Sequence, residues 1–302
     1  MFDEVDISKY YPAFYSPYNV SENVSKTTAK SLRAKLGRLK RKLKLHLKTS
    51  FKNFIFKTIL HYKSRYIFDK LVLPHITINR PIDTLLKRLY GTRLKKKSRI
   101  LDVGCGNGFY LDKLYDMGYK NITGIDMFIP DDKIRNTKWT FKKCDIFSIE
   151  VDSKYDLIIL NHVFEHMFEP DKVLNKITKL LAVDGTCLIS IPLVDGLAWK
   201  HYLTDYCQID APRHIYLYTR KAISNLCEKA NLYIDRILLD SHAGVYLGSD
   251  GYQKTNKSLL EIFSDWNIYS KEEIDVFREM AKISNLSENG DEAIFYLKKK
   301  KR

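Results

Sequence analysis

Residues 99–108, RILDVGCGNG, consist of an apolar run, an aspartate and then three glycines at alternate positions. The apolar run predicts a buried strand that ends near Val103. Glycine weakens strands and helices, but its missing Cβ allows a tight turn and lets a ligand approach backbone N–H groups. In an open α/β sheet, ligands bind at the carboxyl ends of the strands. The stretch therefore predicts a ligand-binding turn after the first strand of such a sheet.

From about residue 76 onward, strand-like and helix-like patterns alternate. Seven segments are strand candidates: RILDV (99–103), NITGID (121–126), KWTFKKC (138–144), YDLIIL (155–160), GTCLISIP (185–192), LYIDRILL (232–239) and AIFYLKK (293–299). Helical patterns lie between most of them, at 109–117, 170–181 and 220–230. This alternation predicts an α/β fold with a parallel sheet and helices on both faces.

Cysteine usage and hydropathy favour a cytoplasmic protein. The five cysteines among 302 residues are scattered and form no C-x-x-C pair, which argues against a disulfide framework or structural zinc. The N-terminal sequence lacks the basic-then-apolar order of a signal peptide, and no apolar run reaches about 18 residues. We therefore expect a reducing compartment, no membrane span and no metal site.

Almost all of the net charge of +15 lies in one segment, because residues 24–68 hold 14 Lys and Arg and no Asp or Glu. Leucines at positions 32, 36, 39, 43 and 47 follow one stripe of a predicted basic amphipathic helix over 30–60. Three interpretations stay open. We favour attachment to an anionic membrane surface, ahead of packing on protein, while the scarcity of aromatics before Phe51 makes nucleic acid unlikely.

The domain prediction follows from this division of the chain. Residues 1–75 form an aromatic N-terminal segment with the basic helical arm, and residues 76–302 form the α/β domain. The stretch 243–290, between the last two strands, is predicted to be an insertion that acts as a substrate lid.

The glycine loop differs from two common nucleotide-binding loops. No Lys-Ser or Lys-Thr follows it, which excludes a P-loop, and Phe109 occupies the third glycine position of a dinucleotide loop. Asp102 would repel a pyrophosphate but attract an ammonium or sulfonium group. Asp126, about 20 residues further on, suits the two hydroxyls of a ribose. The pattern indicates a ligand with a ribose, a cationic amino-acid part and no phosphate.

ILDVGCGNG, followed by ITGID, CDIF, YDLIILNHVFEHM and LLAVDGTCLISIP, resembles the class I S-adenosylmethionine-dependent methyltransferases in order and spacing. The resemblance implies a Rossmann-like, seven-stranded, mostly parallel sheet whose last strand is antiparallel. It also implies S-adenosyl-L-methionine as cofactor. The cofactor-binding residues that it implies are Asp102, Gly104, Gly106, Gly108, Asp126, Met127, Asp145, Ile146, Asn161 and His162.

The methyl acceptor is predicted from two further segments. NHVFEH (161–166) departs from the N-P-P-Y-like motif of base N-methyltransferases. CQIDAPRHIYLYTRKAISNL resembles a methyltransferase subfamily of surface-glycan and O-antigen biosynthesis, which implies O-methylation of a sugar or glycan intermediate. The favoured membrane role of the basic 30–60 segment agrees with this acceptor and predicts that the reaction occurs at the cytosolic membrane surface. A quinone or other small lipid is the alternative acceptor, and an RNA methyltransferase guided by the basic arm is a further one.

A sugar hydroxyl must lose a proton during transfer, so a positioned base helps. His214 is our preferred candidate, since it follows Arg213 and lies four residues after Asp210, which we expect to orient it. His166 is the other candidate. Both have structural explanations, since His166 suits a helix start and Asp210 with Arg213 suits an ion pair that holds the fold. The oligomeric state is left open by the sequence.

Overall fold

The computed structural model describes residues 85, 87–129, 138–255, 257–264 and 268–300. The chain divides into two units, one of Val20–Arg93 and one of Met1–Asn19 with Leu94–Arg302. The predicted boundary at residue 75 and the basic segment 30–60 lie outside the described residues. The sheet and the candidate site both belong to the larger unit.

Strands and helices alternate along this unit, as the sequence predicts. In chain order they are β1 Arg99–Val103, α1 Phe109–Asp116, β2 Asn121–Ile125, β3 Thr140–Lys142, β4 Tyr155–Asn161, α2 Pro170–Leu180, β5 Leu181–Pro192, α3 Leu197–Tyr202, α4 Arg220–Lys229, β6 Leu232–Leu239, α5 Ala243–Lys254, α6 Leu259–Ser264, α7 Lys271–Leu286 and β7 Glu292–Lys299. Short 3₁₀ turns occupy Phe164–His166, Leu203–Asp205 and Cys207–Ile209.

The sheet has seven strands in the order β3-β2-β1-β4-β5-β7-β6. The first five strands along the chain pair in parallel, and β7 runs antiparallel to both β5 and β6. This confirms the predicted fold class. Because β1 and β4 lie in the middle of the parallel part with both faces covered, their residues are almost continuously apolar and buried.

Two strands differ in length from the predictions. β5 begins at Leu181, four residues early, because Leu181 pairs with Tyr155 before a register shift leads to the Leu157–Thr186 pair. The Asp184–Gly185 dipeptide between these pairs is typical of a turn, which is why the sequence predicts that the strand starts at Gly185. β3 is only three residues long, since it pairs with β2 alone at the edge of the sheet.

The described residues of the 243–290 insertion form the helices α5, α6 and α7. A reciprocal capping box of Ser270 and Glu273 starts α7. The buried side chains of α5 and α7 pack with α3 in a second apolar cluster, in which Tyr246 is fully buried. The helices of the described residues are all too short or too polar to cross a bilayer.

Candidate active site

The loop after β1 is shaped by left-handed backbone at three glycines. Gly104, Gly106 and Gly108 have φ values of 67°, 53° and 79°. Side chains with a Cβ adopt this region at a cost of about 1–2 kcal/mol. The alternate glycines of the sequence therefore match the positions at which the chain needs them.

Two of these glycines also make room for other parts of the protein. A Cβ at Gly104 would lie 2.4 Å from Val163 Cγ2, and one at Gly108 would lie 2.1 Å from Trp139 Cζ2. Sequence reasoning explained the glycines by the approach of a ligand. The structure adds that Val163, which follows β4, packs directly over the loop and brings the residues after it close to the turn.

Asp126 holds this loop from the end of β2. Its carboxylate accepts hydrogen bonds from the N–H groups of Gly106 (3.0 Å), Phe128 (2.9 Å) and Ile129 (3.2 Å). The Ile125 carbonyl accepts from the N–H groups of Gly104 and Cys105. The predicted ribose-binding aspartate is thus also the group that fixes the turn.

Asp102 lies on β1, one strand away from Asp126, and is 2% exposed. Burial, and then the nearby charge of Asp126, raises the pKa of Asp102 to about 8. A cation beside Asp102 would offset both effects. The two carboxylates at this edge therefore fit a ligand with a positive group and a pair of hydroxyls, which is what S-adenosylmethionine offers.

The remaining predicted cofactor residues lie at the ends of β2, β3 and β4. Asp145 Oδ1 accepts from the N–H and the hydroxyl of Ser148 and so caps a turn. The Ile146 side chain is part of the core, which leaves only its backbone for a ligand. Met127 is 54% exposed. Asn161 ends β4, and His162 follows it with φ 53°.

The four predicted catalytic residues come together beside the end of β4. The loop that holds Asp210, Arg213 and His214 docks on the Phe164–His166 turn, where the Glu165 carbonyl accepts from the N–H groups of Ile215 and Tyr216. The rings of His166 and His214 are 4.8 Å apart between centroids. Residues about 50 positions apart in sequence thus form one cluster.

Each of these two histidines is oriented by a backbone carbonyl. His214 Nδ1 is 2.7 Å from the Gln208 oxygen, and His166 Nδ1 is 2.8 Å from the Arg213 oxygen. The sequence assigned the orienting of His214 to Asp210, and the structure gives it to Gln208. Asp210 instead pairs with Arg213 at 2.5 Å, and its other oxygen lies 3.8 Å from His214 Nε2.

Glu165 is the functional candidate that sequence reasoning missed. It is fully buried, with Oε1 3.4 Å from His162 Nδ1 and 4.0 Å from His214 Nε2. Burial by itself raises the pKa of Glu165, but the contact with His162 and the charges of the three histidines hold that pKa below its ordinary value. A charged residue inside the apolar stretch VFEHMF was the available signal.

The balance of effects on the His214 imidazole differs from that on the Glu165 carboxylate. Burial is the main cause that lowers the pKa of His214, and it outweighs the opposing effect of Glu165. At neutral pH the ring is therefore uncharged, and because Nδ1 carries its hydrogen toward Gln208, Nε2 presents a lone pair. The cluster can accept a proton or bind a cation.

Comparison with known proteins agrees with this geometry. A family model described as a methyltransferase domain matches residues 75–237. A malonyl-[acyl-carrier protein] O-methyltransferase of Acetivibrio thermocellus is 34% identical over 105 residues, 32% of this chain and 37% of the relative. A ubiquinone biosynthesis O-methyltransferase of Rickettsia akari is 31% identical over 101 residues, 31% of this chain and 40% of the relative.

The chain therefore spans less than half the length of these two curated relatives. Among solved structures, a putative sarcosine dimethylglycine methyltransferase from Galdieria sulphuraria aligns with a TM-score of 0.49 and 17% identity. The alignment covers 72% of this chain and 84% of that one.

Proposed function

The chain belongs to the methyltransferase domain family, whose cofactor is S-adenosylmethionine, and from that premise we propose that it methylates a hydroxyl of a sugar or glycan intermediate. The observation that carries the proposal is the neutral His214, whose Nε2 lone pair lies next to the buried Glu165 beside the end of β4. A hydroxyl acceptor needs such a group, because its proton must leave during transfer.

The cofactor-binding roles rest on the loop and on the two strands beside it. When bound, S-adenosylmethionine supplies an activated methyl group on a sulfonium. Asp102 would hold the cationic amino-acid part and Asp126 the ribose, while the Asp145–Ile146 backbone would lie near the adenine. The left-handed glycine turn would place the backbone of the loop beside the ligand.

The catalytic cluster would act on the acceptor. His214 Nε2 accepts the hydroxyl proton, and the Gln208 carbonyl keeps the ring in the tautomer that can do so. The Arg213–Asp210 ion pair is a positioning element of the same loop, since Arg213 also supplies the carbonyl that orients His166. Methyl transfer is an in-line displacement, for which alignment of the two substrates is the main requirement.

The choice of a sugar acceptor is supported by the Asp210–Thr219 segment, DAPRHIYLYT, and its resemblance to glycan-biosynthesis methyltransferases. The basic 30–60 segment supports a location at an anionic membrane surface, where a lipid-linked glycan intermediate would be found. A vesicle co-sedimentation assay tests the location. Binding to anionic vesicles that falls with salt supports it, and equal binding to neutral vesicles contradicts it.

A quinone or other small lipid is a second candidate acceptor. An open cleft of about 610 Å³ is lined by Phe168 and Tyr216 among others. In the sequence these two residues follow His166 and His214 by two positions each. Both aromatic side chains are more than one third exposed. An apolar acceptor could lie against them, and the Rickettsia relative is named for ubiquinone biosynthesis.

The first experiment is calorimetry with S-adenosylhomocysteine, followed by methyl transfer to nucleotide sugars, lipid-linked glycans and short-chain quinones. We expect binding, and transfer that falls strongly in His214→Gln while S-adenosylhomocysteine affinity is kept. Absence of binding would overturn the cofactor site. Binding with transfer to quinones alone would overturn the sugar acceptor and support the second candidate.

A further inference from the structure

We propose that Glu165, His166 and His214 form a binding site for a divalent transition-metal cation, with Zn²⁺ or Mn²⁺ as the best-suited ions. Their ligand atoms all lie within 4.8 Å of one another. The proposal rests on how the hydrogen atoms of this cluster are placed. Three groups that can each offer a lone pair converge there.

The first two acceptors are the imidazoles. The Nδ1 atoms of His166 and His214 face carbonyl oxygens, and a carbonyl cannot donate, so each Nδ1 carries the hydrogen. When both rings are neutral, each Nε2 atom therefore carries a lone pair. Metal-binding histidines in proteins show this same arrangement, with one nitrogen on the metal and the other N–H on a carbonyl or carboxylate.

The third acceptor is the Glu165 carboxylate. Its residue is 0% exposed, and its nearest donor among the described residues is His162 Nδ1, 3.4 Å from Oε1, while Oε2 receives no hydrogen bond from them. A fully buried carboxylate with a single long contact to a donor is destabilising unless a cation compensates its charge. Its Oε1 lies 4.0 Å from the Nε2 lone pair of His214, a mutually repulsive arrangement that a shared cation would turn into attraction.

The donor set narrows the choice of ion. Two imidazole nitrogens and one carboxylate oxygen suit Zn²⁺, Mn²⁺ or Fe²⁺, whereas Mg²⁺ and Ca²⁺ prefer oxygen ligands alone. Three protein ligands also leave open positions on the metal, which is the pattern of catalytic and not of structural sites. Asp210 Oδ2, 3.8 Å from His214 Nε2, is the nearest additional carboxylate.

The three ligands lie in the cluster that the proposed function assigns to the acceptor hydroxyl, so the role of the ion in the reaction rests on that proposed function. A hydroxyl bound at an open position of a divalent cation has a lowered pKa, so its O–H bond breaks with loss of the proton to water. In the metal-bound protein the two Nε2 atoms are ligands. The cation then replaces His214 as the group that makes the acceptor oxygen reactive.

The test begins with the full-length protein freed of metal by chelator and dialysed. ZnCl₂ and MnCl₂ are titrated by calorimetry, and CoCl₂ is titrated with visible absorption as readout of the ligand field. We expect one site per chain. Glu165→Gln and His166→Asn should each weaken it by at least about ten-fold, and His201→Asn, an exposed histidine outside the cluster, should leave it unchanged.

Binding of S-adenosylhomocysteine by the same samples separates the two proposals. Cofactor binding without metal binding would overturn the metal site and leave the proposed function standing. Metal binding of equal affinity in wild type and both cluster variants would also overturn it, since the ion would then be held elsewhere. If a variant is unfolded by circular dichroism, the Co²⁺ spectrum of the wild type decides, because imidazole ligation changes it and surface carboxylates alone do not.

Discussion

At the scale of single residues, Asp102 is the most perturbed acid of the cofactor edge. Its raised pKa of about 8 means that it is mostly protonated in the ligand-free protein at pH 7. The cause is burial, reinforced by Asp126. A cationic ligand would reverse that balance, because an opposite charge favours the ionised carboxylate.

We therefore predict that S-adenosylhomocysteine binding at pH 7 releases up to about one proton per chain. The measurement is calorimetry in buffers of different ionisation heat, whose slope gives the number of protons exchanged. Asp102→Asn, which cannot ionise, should remove most of this release. Equal slopes for wild type and variant would show that Asp102 does not meet the ligand's positive group.

Asp126 has two roles that a conservative change can separate. In Asp126→Asn one oxygen remains for the loop N–H groups, but the charge that a pair of ribose hydroxyls would use is lost. Hydrogen bonds to a charged group contribute about 1.5–3 kcal/mol, so S-adenosylhomocysteine affinity should fall about ten- to hundred-fold. Asp116→Asn, an exposed aspartate on α1, is the matched control. Unchanged affinity in Asp126→Asn would assign Asp126 to the loop alone.

These residues also show what the sequence could reveal. Asp102 and Asp126 are recognisable because their spacing from the glycines is local and regular. Glu165 was not recognisable from the sequence, because its role depends on contacts with the loop 207–216, which folds back onto it. Nothing in the sequence reports that a backbone carbonyl such as that of Gln208 will orient a histidine six residues away.

At the scale of elements, the β1–α1 turn and the end of β4 depend on each other through Gly104 and Val163. An alanine at 104 would adopt left-handed backbone and also overlap the Val163 side chain. The contact fixes the ends of β1 and β4, which both belong to the candidate site, relative to one another. The coupling explains why a glycine is required here even in the absence of ligand.

Gly104→Ala should destabilise the protein by more than about 2 kcal/mol, the sum of backbone strain and steric overlap. Gly104→Ala combined with Val163→Ala should recover the part caused by overlap and leave the strain. Urea unfolding of the two single variants and the double variant gives the interaction energy. Additive effects would mean that Val163 and residue 104 do not meet.

Element boundaries were less predictable than element types. All seven strands were identified by their apolar runs, but β5 starts within a segment that contains Asp184–Gly185 and β3 shrinks to three residues. Pairing partners determine both ends, and pairing is not visible in a single segment. The parallel pairing of the first five strands, in contrast, could be predicted from the alternation of strands and helices.

At the scale of the whole molecule, Asp291 joins the insertion to the sheet. Immediately before β7, its buried carboxylate accepts from the Ala198 N–H of α3 (2.6 Å) and from the Tyr246 hydroxyl of α5 (2.9 Å). Burial raises the pKa of Asp291 to about 6, although these hydrogen bonds oppose the shift. Three parts of the fold thus meet at one ionisable group.

This shift makes stability depend on pH. Between about pH 4 and pH 6 the folded state binds the proton more tightly than the unfolded chain, so the free energy of unfolding falls as pH rises. Between pH 4.5 and 7, Asp291→Asn should reduce that fall by about 2 kcal/mol. Urea unfolding at pH 4.5 and 7 measures it. An identical pH dependence in the variant would contradict the assignment.

The position of β7 between β5 and β6 has a consequence for synthesis. Of the described strands, β6 pairs with β7 alone, and the free side of β5 is covered by β7 as well. On the ribosome, the five parallel strands are therefore complete long before residues 292–299 emerge, and until then the β5 edge, which β7 later covers, is unpaired. The nascent chain must stay protected from pairing at this edge until residues 292–299 have emerged.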